Sequence, residues 1–245
     1  MATVAGAGVM IKKHGHNFFN GLILVFSVLI SSCTPLQVTE NTAAREHPPE
    51  DFPQTYYLEA QTAGSKVLPI DSARSLLTII VRRDGALSRL GHDHVVSSHL
   101  VKGYVDSSAG RADLYVQLDQ LVVDEPALRL SAGLTTQPSA DAITGTRRNM
   151  LDKVLESGRY PHALISVKRN PADSQTLRVS ITLHGTTKNF EIPAQIKTLA
   201  EGMEVNGQLS LNQSDFGITP FSILGGAIRV QDRLDLTFRI VAGMY

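Results

Sequence analysis

One stretch constrains the fold more than any other: Asn212 to Ile240, NQSDFGITPFSILGGAIRVQDRLDLTFRI. It leaves one alternating strand, crosses a turn rich in glycine and proline (Gly217, Pro220, Gly225, Gly226), and enters a second. In that second strand Ile228, Val230, Leu234, Leu236, Phe238 and Ile240 share one parity. Arg229, Gln231, Arg233, Asp235, Thr237 and Arg239 take the other. Period two with one apolar face marks a strand that lines an apolar interior with its back to water. The intervening loop carries Phe216, Ile218, Phe221, Ile223 and Leu224, too many apolar groups for a solvated turn. They are expected to fold over something apolar.

The same pattern recurs upstream. Leu76 to Arg83 is apolar on both faces at first, and His99 to Asp106 alternates less cleanly. Leu114, Val116 and Leu118 alternate well, and so do Leu177, Val179, Ile181 and Leu183. Further strand-like runs cover Ala163 to Lys168, Phe190 to Ile196 and Met203 to Leu211. Asn170-Pro171, Gly185 and Glu201-Gly202 separate the runs at hairpin-like intervals. One helix is expected from near Thr146, with the stripe Met150, Leu151, Val154 and Leu155. Gly158 stands where a left-handed cap belongs, and Pro161 forbids continuation. Many strands and one short helix predict a mainly β domain, an antiparallel barrel or sandwich.

Four segments, Pro69-Ile70-Asp71 with Ser75, Arg148 to Pro161, Leu183 to Lys188 and Ser214 to Ile218 with Asp232, together resemble motifs of the YceI-like family of bacterial lipid-binding proteins. Ser214-Asp215-Phe216-Gly217-Ile218 with Asp232 looks like its C-terminal signature. Pro69-Ile70-Asp71 with Ser75 looks like its opening strand, and Arg148 to Pro161 like its helix ending at Tyr-Pro. Leu183 to Lys188, LHGTTK, looks like its Leu-x-Gly-x-Thr hairpin. These motifs occur in family order across roughly Lys66 to Ala242. Leu87 to His94, LSRLGHDH, departs from the alternating strand of the commonest members and marks a divergent subgroup. The resemblance implies an eight-stranded, lipocalin-like antiparallel barrel with the helix packed at one side. It also implies a periplasmic polyisoprenoid- or quinone-like lipid as ligand.

The N-terminus reads as an export signal. Lys12 and Lys13 precede the ten-residue apolar run Gly21 to Ile30, and Ser31-Ser32-Cys33 follows. Such a run is too short for a membrane span of about 20 residues. Cys33, the only cysteine, resembles the lipidated residue of a bacterial lipobox. The alternative is an ordinary signal peptide with an incidental cysteine. Thr34 after it, where retention would call for Asp, favours the outer membrane. The segment from Met10 has an ordinary signal length, which places the expected start there. The expected organisation is a signal peptide over 1–32, a flexible tether over 33–55 and a barrel domain over 56–245. The tether is rich in Thr, Glu and Pro and lacks apolar periodicity. A coil of about 20 residues spans about 25 Å, enough to hold a domain off a membrane surface.

Cleavage after residue 32 removes Lys12 and Lys13 from 23 basic residues and none of the 23 acidic ones. The remaining chain is nearly neutral and has no basic stripe, which argues against nucleic acid as a partner.

Enzyme signals are sparse. Gly-x-Ser-x-Gly and phosphate-loop patterns are absent. On an extended chain His92 and His94 face one side and Asp93 the other. Two such imidazoles can share a zinc ion, but a site needs at least a third ligand, and His184 is the remote candidate. The plainer reading is a polar rim or a contact to a ligand headgroup. Arg147-Arg148 could clamp a phosphate, or simply end a helix in solvent.

The apolar stripes carry the functional reading. The expected ligand contacts are Leu177, Val179 and Ile181, Leu234, Leu236 and Phe238, the loop residues Phe216 and Phe221, and His92 and His94. The reading is a non-catalytic envelope lipoprotein, on the periplasmic side, that binds a long apolar lipid and needs no metal or cofactor. A homodimer is compatible with it. The alternatives are a metal-dependent hydrolase using His92 and His94, and an interaction protein whose barrel is filled by its own side chains.

Overall fold

The strands expected from period two pair into one curled antiparallel sheet in a computed structural model that describes residues 48–170, 173 and 175–243. The expected signal peptide, Cys33 and the tether as far as residue 47 lie outside the described residues. The first strands are β1 (Val67–Pro69), β2 (Leu76–Asp84), β3 (His94–Ser98) and β4 (Val101–Asp106). Then come β5 (Arg111–Gln117), β6 (Val122–Val123), β7 (His162–Arg169) and β8 (Thr176–Leu183). The last are β9 (Thr186–Leu199), β10 (Gly202–Asn212), β11 (Ser222–Ile223) and β12 (Ile228–Gly243). The sheet runs β1-β4-β5-β7-β8-β9-β10-β12-β2-β3-β6, with β11 on the edge of β12.

The curl is stitched at one end by the short stretch after β1. Ile70 N–H donates to Gly103 O of β4 (3.0 Å), and Asp71 N–H donates to Val241 O of β12 (2.8 Å). Ser72 Oγ donates to Val101 O (2.7 Å). The result is a half-barrel tied across one end. The twelve strands exceed the eight expected because short pairings such as β1, β6 and β11 carry no alternation to read.

Register places the apolar parities side by side. Leu234 pairs with Leu211 on one side and Val81 on the other, and Leu236 with Leu209 and Ile79. Ile165 pairs with Leu114 and Ile181, and Val167 with Ala112 and Val179. A one-residue slip would turn every one of these groups outward, so the inner face itself specifies the register. Phe238 faces Gly207, where an added Cβ would lie 2.5 Å from the ring; the missing side chain makes room for the phenyl group.

Among the described residues there are three α-helices, where the sequence predicts one: α1 (Gln54–Thr62), α2 (Pro126–Ser131) and α3 (Ala140–Asn149). The predicted helix is α3 with its continuation. It begins earlier than Thr146, at the Ser139 cap, whose Oγ accepts Ala142 N–H (3.2 Å). It runs into a π-helical turn over Met150–Val154. The left-handed residue that ends it is Glu156 (φ 45°) and not Gly158. Arg159 N–H (2.8 Å) and Tyr160 N–H (2.9 Å) both donate to Glu156 O, so Gly158 lies inside the turn that follows the helix and not at its cap. The β8–β9 hairpin is the expected one: His184 (φ 52°) and Gly185 (φ 73°) form a two-residue loop with both φ positive, the twist a tight hairpin favours.

Residues 52 to 57 correct the expected domain boundary at 56. Phe52 is buried and meets the rings of Tyr115 (5.1 Å), Tyr57 and Tyr104 (6.3 Å each). Tyr57 Oη donates to Asp113 (2.7 Å), Tyr56 Oη to Asp106 (3.0 Å), and Arg111 stacks over the Tyr56 ring at 4.2 Å. Burial, then the bond to Asp113, pushes the Tyr57 phenol far up. The packed domain therefore starts no later than Phe52. A lone aromatic in a Pro- and Glu-rich stretch carries no periodicity that would announce this.

Candidate functional site: an apolar cavity with a histidine end

The inner face encloses a cavity of about 430 Å³. This is within the range of roughly 300–1,000 Å³ common for small-molecule sites. Aliphatic side chains from β2, β3, β4, β5, β7, β8, β9, β10 and β12 line it, and Met150, Val154 and Leu155 at the π turn cover one flank. By register the two ends differ. Ser107, Gly110, Arg111 and Arg169 stand at one end, and Arg83, His92, His94, Phe221 and Arg229 at the other.

Leu177, Val179, Ile181, Leu234, Leu236 and Phe238 line the cavity, as do Phe221, His92 and His94. Phe216 does not. It is fully buried with Leu211 and Ile218, its ring 6.4 Å from Phe190. Gly217, in the left-handed conformation (φ 73°), ends the short 3-10 turn Gln213–Phe216 and leaves the Phe216 ring inside the core beneath the loop. Of the other loop residues, Ile218 is buried, while Ile223 and Leu224 are exposed. The loop thus plugs the core with its first half and exposes its second.

The sequence reading left out Leu77, Ile79 and Val81 of β2, which complete the wall beside Leu234, Leu236 and Phe238. Their alternation was hidden by Leu76 and Ile80, apolar residues of the opposite parity. Arg147 is half-buried and bonded to backbone. It lies in the last turn of α3, where it donates to the carbonyls of Leu121 (3.1 Å) and Asp119. Arg148 is exposed. His184 stays in its hairpin, 3.2 Å from Glu156 Oε1 and against the Tyr160 ring (4.3 Å).

At the histidine end the expected parity holds. His92 and His94 face the cavity with rings 6.3 Å apart, while Asp93 turns away and accepts Arg83 N–H (2.8 Å). His94 Nδ1 lies 2.6 Å from Asp124 Oδ2. Asp124 Oδ1 accepts Val95 N–H (3.0 Å) and Arg129 Nη1–H (2.5 Å). Both charged side chains are buried, Asp124 fully and Arg129 to 1% exposure. Arg129 also donates to the carbonyls of Asp93 (2.8 Å) and Thr136. Burial alone would push the Asp124 carboxyl up; the hydrogen bonds from His94, Val95 and Arg129 outweigh it and hold the group below its ordinary value. Asp124 has a left-handed backbone (φ 59°), which Asp tolerates better than most residues.

Neither Asp124 nor Arg129 stands out in the sequence. The one available cue is the acidic pair Asp124-Glu125 before Pro126, a helix-start pattern. Glu125 binds His99 (2.9 Å) and Ser97, so the two acids anchor separate sides of β3. Among the described residues no group of three or more His, Cys, Asp or Glu could hold a metal ion.

The YceI-like domain model matches residues 72–242. The chain belongs to the YceI-like family. In this YceI-like domain the motifs that resemble the family act as pins: Ser75 Oγ accepts Val241 N–H (3.0 Å), His184-Gly185 makes the hairpin, and Asp232 holds Ser214. The fold is also similar to solved structures. A polyisoprenoid binding domain from Saccharophagus degradans, described as implicated in plant cell wall breakdown, has a TM-score of 0.52 at 13% identity. That match covers 74% of this chain and 99% of the other. BcnA of Burkholderia cenocepacia has a TM-score of 0.48 at 14% identity, over 71% and 99% of the two chains. The YceI protein of Campylobacter jejuni has a TM-score of 0.40 at 14% identity, over 60% and 81%. Among curated protein sequences nothing matches.

Proposed function

We propose that this YceI-like protein is a non-catalytic binder of one long apolar molecule, an isoprenoid or quinone-like lipid, held inside the curled sheet. The observation that carries the reading is the cavity of about 430 Å³ walled by aliphatic side chains from nine strands. A five-carbon prenyl unit buried there gains roughly 4 kcal/mol at about 0.8 kcal/mol per carbon. A few units suffice for tight binding after the cost of association. The description of the Saccharophagus degradans relative as polyisoprenoid binding supports the same ligand class.

The polar groups of the cavity suit binding better than catalysis. His94 Nδ1 is committed to Asp124, and Arg83 and Arg229 are paired with Asp93 and Asp84. The proposal extends to location: Cys33 is lipidated after export and tethers the domain on the periplasmic face of the envelope, with the outer membrane favoured. The motivation is the ten-residue apolar run followed by Ser31-Ser32-Cys33. Cys33→Ser should abolish fractionation with membranes; a variant that is cleaved and still sediments with them would refute the anchor.

Native mass spectrometry of the purified chain mixed with envelope lipid extract tests the cavity. One retained apolar molecule per chain is the expected result. A chain that never retains any would leave the cavity without a ligand and favour a domain that acts through its loops.

A further inference from the structure

The cavity's two ends are chemically unlike, and the histidine end is built more carefully than a rim requires. A carboxylate and a guanidinium, both nearly or fully buried, stand behind His94. Burying such a pair carries a desolvation cost. Their arrangement has one directional consequence. The Asp124 carboxylate, already accepting from Val95 and Arg129, takes the Nδ1–H of His94. In its uncharged form the imidazole is then held in the tautomer whose Nε2 is a bare acceptor. No described residue donates to that Nε2, and the ring lines the cavity.

The neighbouring polar groups cannot take over this role. Arg83 Nη1 donates to Gly91 O (2.6 Å) and its charge faces Asp93; Arg229 is paired with Asp84 at 2.7 Å. Gln213 Nε2 donates to Gln231 O (2.8 Å). The two arginines that line this end are thus matched by Asp93 and Asp84, and neither offers an anionic head an uncompensated charge. A neutral donor finds one fixed acceptor.

We infer that the ligand is a long aliphatic chain ending in a hydroxyl, an isoprenoid alcohol or a hydroquinone, whose O–H donates to His94 Nε2 while its tail runs toward the Arg111 and Arg169 end. Asp124 and Arg129 are positioning residues, since they reach the ligand only through His94. His92, exposed and 6.3 Å from His94 ring to ring, stands at the outer edge of the same end. This inference rests on the lipid-binding reading and adds to it a head group, an orientation and a specificity residue.

The test is displacement of an anthraniloyl-labelled geranylgeranyl probe from the full-length chain by three competitors: geranylgeraniol, its methyl ether and geranylgeranyl phosphate. The wild type should bind the alcohol about tenfold more tightly than the ether, the effect of one hydrogen bond lost in an apolar site. His94→Phe should bring alcohol and ether to equal affinity while the ether still binds, and Thr237→Gln, on the exposed outer face, should keep the preference. The wild-type comparison also has a readout that needs no variant: the nitrogen NMR shift of His94 Nε2 should move with the alcohol and not with the ether. Equal binding of alcohol and ether by the wild type would overturn the inference and leave the lipid-binding reading intact. So would a preference that survives in His94→Phe, or phosphate bound more tightly than alcohol whatever stands at residue 94. Failure of all three competitors and the probe to bind would overturn both readings.

Discussion

Asp232 holds Ser214 twice: Oδ1 accepts its backbone N–H at 2.8 Å and Oδ2 accepts its hydroxyl at 2.5 Å. Asp232 sits in the irregular stretch of β12 between Val230 and Leu234, where pairing with β2 shifts register. The irregularity frees its carboxylate to reach the 3-10 turn that carries Phe216. A sequence motif split by 17 intervening residues is therefore one mechanical joint. It fixes the start of the loop whose Phe216 and Ile218 plug the core.

Asp232→Ala should release that joint. The bonds are solvent-exposed, so the expected loss is about 1 kcal/mol, a fall of roughly 2–4 °C in thermal midpoint for a domain of this size. Amide exchange should accelerate in residues 213–218 and stay unchanged in β8. Unchanged exchange across the turn would show that packing of Phe216 alone holds it.

Phe52→Ala should destabilise the domain by about 3 kcal/mol, the usual cost of removing a buried aromatic ring. A chain truncated to start at Tyr56 should lose at least as much. The check is the denaturant midpoint of each against the full chain. An unaltered midpoint in both would restore the boundary at residue 56 that the sequence suggests.

Leu236 and Thr237 are neighbours with opposite exposures. Leu236 lines the cavity between Leu209 and Ile79; Thr237 is exposed on the outer face. Leu236→Gln places a donor and an acceptor in an apolar wall, at a cost of about 1–3 kcal/mol when they stay unpaired. Binding of a fluorescent prenyl probe should therefore weaken at least severalfold in Leu236→Gln and hardly change in Thr237→Gln. Equal affinity in the two variants would mean that the lipid does not reach this wall.

Acid should unfold the wild type through Asp124 more than through an average carboxylate. Its carboxyl is held below the ordinary 3.8 although burial pushes the other way, because His94, Val95 and Arg129 all favour the charged form. A depressed value in the folded state means that the unfolded chain binds the proton more readily. The stabilisation is complete above about pH 4 and is lost as pH falls through the folded value. Asp124→Asn should lower stability at neutral pH by about 3 kcal/mol, since it leaves Arg129 buried without its counter-charge. It should also flatten the decline below pH 4. Parallel acid limbs for variant and wild type, in urea titrations at successive pH values, would refute the assignment.

Much of this architecture is local and so legible in the chain. The parity of Leu234, Leu236, Phe238 and Ile240, and of Leu177, Val179, Ile181 and Leu183, follows from a pleat that points alternate side chains to opposite faces. The His184-Gly185 hairpin and the pairing of His92 with His94 on one side are likewise matters of a few adjacent residues. What tertiary structure decided lies in partners far apart in sequence. Phe52 becomes core only because Tyr104 and Tyr115 of other strands receive it. Phe216 belongs beneath the loop and outside the cavity wall because Asp232 and Gly217 set the turn before and after it. His94 acquires a carboxylate partner at its Nδ1 only when the chain 30 residues later brings Asp124, backed by Arg129, beside it. Alternation tells which face a side chain takes; which group stands opposite is set by register and by chain crossings that no local pattern records.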